Sequence, residues 1–124
     1  SDAADALFSH AADTAGSRLY VPDLFYTECA NVLWKYVKRF GYSAKEARKC
    51  IERLRGLGLV KLETELFLED AFGIAVAHEI SVYDACYVAA SMHVSATLVT
   101  ADERLVAKLA KISCPPRLLG TFDL

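Results

Sequence analysis

The sequence predicts an α/β fold with a mainly parallel sheet, and three observations carry the prediction. Short apolar strand signals at residues 19–21, 59–62 and 97–100 alternate with helical stretches, the pattern of βα units. Helix punctuation falls between them: Gly41, Gly56 and Gly58 stand where helices close, and Ser43 and Ser81 where helices open. The stretch from Ile80 to Asp102 reads as a capped helix followed by a short buried strand, with Asp84 near its start and Asp102 just past its end. In an open α/β sheet, ligands collect beyond the carboxyl ends of the strands, which is where Asp102 falls.

In chain order, Ala3, Ala6, Leu7, Ala11 and Ala12 recur at helical spacing and predict a modest helix over 2–14. Leu19–Val21 is a strand signal ended by Pro22, with Asp23 as the expected N-cap of the next helix. That helix runs to about Arg39 on a stripe of Leu24, Phe25, Cys29, Val32, Leu33, Tyr36 and Val37. Ser43 and Glu46 form a capping-box pattern. They open a helix whose stripe is Ala47, Cys50, Ile51, Leu54 and Leu57, and the short link predicts an antiparallel helical hairpin. A strand over 59–62 follows. A helix over 65–79 should turn Leu68, Phe72 or Ala71, Ile74 and Ala75 inward. Then come a helix over 82–94, a strand over 97–100, a helix over 103–111 and an edge strand over 117–119 after Pro115 and Pro116. Repeats, low-complexity tracts and linkers are absent, so residues 1–124 read as a single domain.

Composition narrows the class. With 54% hydrophobic and 24% charged residues, the chain is globular rather than disordered. A net charge of −2 argues against a globally basic nucleic-acid binder but not against a local basic face. The first 17 residues contain no Lys or Arg, so a secretory start is not expected. The longest apolar run, Ala85 to Ala90, falls far short of the roughly 20 residues of a membrane span, so no membrane association is expected. Cys29, Cys50, Cys86 and Cys114 show no CxxC spacing and are expected as reduced thiols of a cytoplasmic protein. His10, His78 and His93 have no ligand-like spacing.

Three acids stand where solubility does not require them. Glu28 lies beside the apolar stripe of its helix, Asp84 precedes six apolar residues, and Asp102 follows a buried strand. Clustered carboxylates repel one another, and a divalent cation such as Mg²⁺ or Mn²⁺ offsets that cost. Capping roles account for the same residues: Ser81 and Asp84 fit a capping box, and Asp102 fits an N-cap. On spacing alone both readings stand.

The segments Leu19–Trp34 (LYVPDLFYTECANVLW), Ile80–Ala90 (ISVYDACYVAA) and Leu98–Leu105 (LVTADERL) resemble the PIN domain, specifically the VapC-type toxins of bacterial and archaeal toxin–antitoxin pairs. The resemblance implies a three-layer α/β/α sandwich with a mainly parallel sheet. It implies an Mg²⁺- or Mn²⁺-dependent endoribonuclease in which metal-activated water attacks an RNA phosphodiester. Glu28, Asp84 and Asp102 match the family's acidic metal ligands, and they are the expected catalytic residues. Thr100 and Asn31 match polar neighbours of the site. The implied partners are an RNA substrate, a cognate antitoxin and a second copy, giving a homodimer or higher oligomer. One departure stands out. Family members begin with a hydrophobic strand that lies mid-sheet and ends in a metal-binding aspartate. No hydrophobic strand signal precedes residue 19, and neither Asp2 nor Asp5 follows one. The chain is therefore expected to lack the usual first, central strand and to leave a gap in its sheet. A catalytically impaired module that dimerises or binds an antitoxin is the alternative. Another Mg²⁺-dependent phosphoryl enzyme is a weaker third, since no Gly-rich phosphate loop is present.

Residues 35–55 hold eight basic residues against two acidic ones, a local surplus of six positive charges. Lys35, Lys38, Arg39, Arg48 and Lys49 are the expected RNA- or partner-binding residues, through phosphate neutralisation. Tyr36 and Tyr42 can stack on bases, and Trp34 and Phe40 are candidate anchors for a partner, with core packing the plainer role for Trp34.

Overall fold

The computed structural model describes residues 18–112 and 115–118. The helix expected over 2–14, Asp2, Asp5, His10, Cys114 and Leu119 lie outside them. The order of elements is β1 (Tyr20–Pro22), α1 (Leu24–Phe40), α2 (Ala44–Arg55), β2 (Val60–Leu62), a 3-10 turn (Thr64–Phe67), α3 (Leu68–His78), α4 (Val82–His93), β3 (Val99–Thr100), α5 (Glu103–Lys108) and β4 (Arg117–Leu118).

Both ladders are parallel, as strands separated by helices require. β1 pairs with β2, Tyr20 opposite Val60, and β3 pairs with β4, Val99 opposite Arg117. Among the described residues these are two separate two-stranded sheets rather than one continuous sheet. A groove of ≈ 230 Å³ is lined by β1, by the approach to β3 at residues 97–99 and by Tyr87, Ala90 and Ser91 of α4.

The core is centred on α4, where Ala85, Cys86, Val88, Ala89, Ala90 and Ser91 are buried. Small side chains let this helix approach α3, which presents Ala71 and Ala75, while Phe67 seals one end of the contact. A second cluster joins Val88 to Leu105 and Leu109, and Ile74 and Ile80 pack against both. Fully burying an aliphatic side chain contributes about 1.5–3 kcal/mol, so Val88 and Leu109 carry a large share of the stability.

Three expectations are corrected. The 65–79 helix is divided into a 3-10 turn and α3. Tighter winding at 64–67 shifts the phase of the stripe, so Ala71 is fully buried while Phe72 is 62% exposed and Leu68 also faces outward. The stripe of α1 is only partly covered: Leu24, Phe25, Cys29, Leu33 and Val37 are half-buried, none is fully buried, and Val32 and Tyr36 are exposed, as is Trp34 beside them. The main neighbour of α1 is α2, too slight a cover for seventeen residues, and Leu57 at the end of that hairpin is exposed as well. Asp23 does not cap α1. Its carboxylate instead accepts a hydrogen bond from the Thr64 hydroxyl, and its backbone N–H donates to the Leu62 carbonyl at 2.8 Å, tying α1 to the end of β2.

Pro22 closes β1 from within it rather than after it, and the helix expected over 103–111 ends at Lys108, while the ends at Gly41, Ser43 and Ser81 follow the sequence signals. Gly41 closes α1 in the left-handed region, φ 67°, where a side chain would be strained. Ser43 accepts from the Glu46 N–H at 3.3 Å, and Ser81 from the Asp84 N–H at 3.1 Å. Among the described residues, no helix is long and apolar enough to cross a membrane.

Candidate active site at two helix starts

Asp84 sits in the first turn of α4, half-buried above the core that this helix anchors. Asp102 sits at the N-cap of α5. The two line one polar pocket of ≈ 190 Å³, together with Ser81, Glu79, Arg104 and Lys108. Local physics brings them there. The Ser81 cap fixes where α4 begins, and the burial of Leu105 fixes where α5 begins.

The capping readings hold, and they leave the carboxylates available. Asp102 Oδ1 accepts both the Arg104 N–H at 3.0 Å and the Leu105 N–H at 3.2 Å, so Oδ2 takes no part in the cap. At Asp84 it is the backbone N–H that Ser81 caps, and among the described residues no hydrogen bond engages its carboxylate. Thr100 does not line the pocket, but its hydroxyl accepts the Asp102 N–H at 3.1 Å and steadies the turn out of β3. Lys108 reaches back to the Glu79 carbonyl at 2.7 Å, binding α5 to the turn between α3 and α4.

Glu28 does not line this pocket. It lies on the exposed side of α1, where its Oε1 accepts the Tyr87 hydroxyl at 2.5 Å. Burial, then the hydrogen bond to Glu28 and its charge, push the Tyr87 phenol well above its ordinary range, with smaller contributions from Cys29 and Asp84. Burial and then the Glu28 charge also raise the Cys29 thiol; burial, then Asp23 and Glu28, raise that of Cys86. Among the described residues, neither thiol is part of a disulfide. Asn31 is exposed one turn after Glu28.

Among the described residues, no three His, Cys, Asp or Glu side chains converge as a metal-holding group. The Asp84–Asp102 pair is all-oxygen and shares a polar pocket, which fits a hard divalent cation that binds one or two carboxylates and keeps several waters. Sequence reasoning missed Tyr87, Arg104 and Lys108. Their spacing held the signal: Tyr87 is three residues after Asp84, and Arg104 and Lys108 are four apart on α5.

The basic hairpin is a separate surface. Lys35, Lys38, Arg39, Arg48 and Lys49 are all exposed, and Lys49 pairs with Glu46 at 3.3 Å. Lys38 lies 5.0 Å over the Trp34 ring, and Tyr36 meets Phe40 edge-on at 5.6 Å. Leu33, Tyr36, Phe40, Tyr42 and Cys50 line an apolar hollow beside these charges.

Residues 1–112 match the family model of the PIN domain. Ribonuclease VapC3 of Pyrobaculum aerophilum is 34% identical over 99 residues, covering 78% of this chain and 76% of the relative. VapC ribonuclease Mb0985 of Mycobacterium bovis and ribonuclease VapC9 of Mycobacterium tuberculosis are each 32% identical over 101 residues, covering 82% of this chain and 77% of theirs.

Proposed function

The chain belongs to the PIN domain family, and from that premise we propose that it is a VapC-type toxin, an endoribonuclease that cleaves RNA phosphodiesters with Mg²⁺ or Mn²⁺. The observation that carries the reading is the meeting of Asp84 and Asp102 in one polar pocket beside Arg104 and Lys108. The two aspartates would hold the cation, with Glu28 acting on it through water or directly. Such a cation supplies a Lewis acid and lowers the pKa of bound water, so no side-chain nucleophile is required. The chain's own residues do the rest. Ser81 and Thr100 fix the backbone at each aspartate, at 3.1 Å in both cases. The positive charges of Arg104 and Lys108 at the pocket wall suit an RNA phosphate. The basic hairpin adds sequence-independent attraction for the RNA backbone, which weakens as salt rises. The proposed partners are RNA, a cognate antitoxin and a second copy in a homodimer or higher oligomer, acting in the cytoplasm.

Asp84→Asn and Asp102→Asn are each expected to abolish Mg²⁺-dependent RNA cleavage while the helical circular dichroism is kept. Cleavage by both variants at the parental rate would overturn the reading. A second reading, a catalytically impaired module that dimerises or binds an antitoxin, is favoured by one observation: Trp34, Tyr36 and Phe40 stand exposed on a single hairpin, Phe40 at 74%. Exposed aromatic clusters of this kind mark interaction surfaces.

A further inference from the structure

Two exposed faces of the molecule carry opposite charge around apolar side chains. The first is α3 with the 3-10 turn before it. Leu68, Phe72 and Val76 recur every four residues and form one row along the helix. All three are exposed, as is Leu66 just before them. Residues 63–79 hold five acids, all exposed, and no Lys or Arg. Glu69, three residues before Phe72, borders the row. The second face is the hairpin of α1 and α2, with its surplus of six positive charges. Its apolar hollow, lined by Leu33, Tyr36, Phe40, Tyr42 and Cys50, measures ≈ 540 Å³. Arg39 adjoins Phe40, and Arg53 stands one turn after Cys50. Glu46, one turn before Cys50, is already paired with Lys49 at 3.3 Å. Within one chain the two faces do not cover each other: α3 packs on α4 and the 3-10 turn, and the main neighbour of α1 is α2.

We infer that the acidic face of α3 seats on the basic hairpin of a second copy, with Phe72 entering the apolar hollow and Glu65 and Glu69 facing Arg39 and Arg53. The inference rests on the self-association proposed above and names the surfaces that carry it. Charge selects the occupant, because one chain carries both members of the complementary pair. Two α3 faces would repel each other, and so would two hairpins, so the contact joins unlike faces. A cavity of about 150 Å³ accepts a benzene ring, which gives the hollow room for the Phe72 side chain. A large aromatic side chain entering a hollow inside a charged rim has the anatomy of an interface anchor.

The test is sedimentation velocity of the complete protein over a range of concentrations, at low and at high salt. Phe72→Gln changes an exposed position, so the helical circular dichroism should be kept while self-association weakens about 10-fold or more. Two charge-reversed chains make the decisive comparison. Glu65→Arg with Glu69→Arg turns the α3 face basic, and Arg39→Glu with Arg53→Glu turns the hairpin rim acidic. Each chain alone should lose about 10-fold in self-association at low salt, and the loss should shrink as salt rises. Mixed in equal amounts, the two chains should associate with each other, because each reversed face then meets its complement. Parental self-association in either charge-reversed chain or in Phe72→Gln overturns the assignment of these faces while the self-association itself stands. A mixture that stays as dissociated as its two components overturns the assignment as well. A parent that sediments as a monomer at every concentration overturns both the faces and the self-association they rest on.

Discussion

The two helices α1 and α4 invert what their sequences advertise. The first is the longest helix of the described chain, with a clear apolar stripe, yet none of its residues is fully buried. The second has a weaker stripe and twelve residues against seventeen, yet it supplies six buried residues and the start of the acidic pocket. A stripe records which face of a helix is apolar, not whether anything covers it. The near-uniform run Ala85–Ala90 belongs to a helix enclosed on most sides, and the sharply two-faced α1 belongs to a surface. One region is therefore enclosed by its neighbours and the other left largely open to solvent.

One substitution made in both helices breaks or sharpens this contrast. Val88 is 1% exposed, and Val88→Ala should cost about 2 kcal/mol through lost burial and a residual cavity, read by urea denaturation. Ser81→Ala removes the cap of α4 and should cost about 1 kcal/mol in the same measurement. Val32 is 50% exposed, and Val32→Ala should change stability by less than about 0.5 kcal/mol, because alanine's better helix propensity offsets the small loss of packing. A cost at Val32 equal to that at Val88 would mean that the α1 face is covered in solution, which concentration-dependent sedimentation would then reveal.

The elements were legible because each carries its own punctuation. Gly41, Ser43, Ser81 and Asp102 all act where local chemistry places them. Asp84 and Asp102 could be found because one helix start and one strand end fix them within twenty residues of sequence. Glu28 was legible as a candidate through resemblance, but not its partner, since the Tyr87 contact spans 59 residues and depends on how two helices cross. Asp23 misled because the residue types that cap helices also bond to neighbouring turns, and Thr64 wins it here. Phe72 misled because helix phase is set by where the first α-helical turn begins, and a preceding 3-10 turn moves that point. Breadth of burial on α1 is a property of the neighbours, which periodicity does not report.

The placement of the acidic pocket has a thermodynamic consequence. Half of it rides on the core helix and half on the six-residue α5, which is held by Leu105 and by the contact of Lys108 with the Glu79 carbonyl. Anything that bridges the two aspartates therefore also staples the C-terminal segment to the core. Occupancy and global stability are linked, and a ligand present at 100 times its Kd adds about 2.7 kcal/mol to the unfolding free energy. Melting temperature thus becomes a direct gauge of how full the site is.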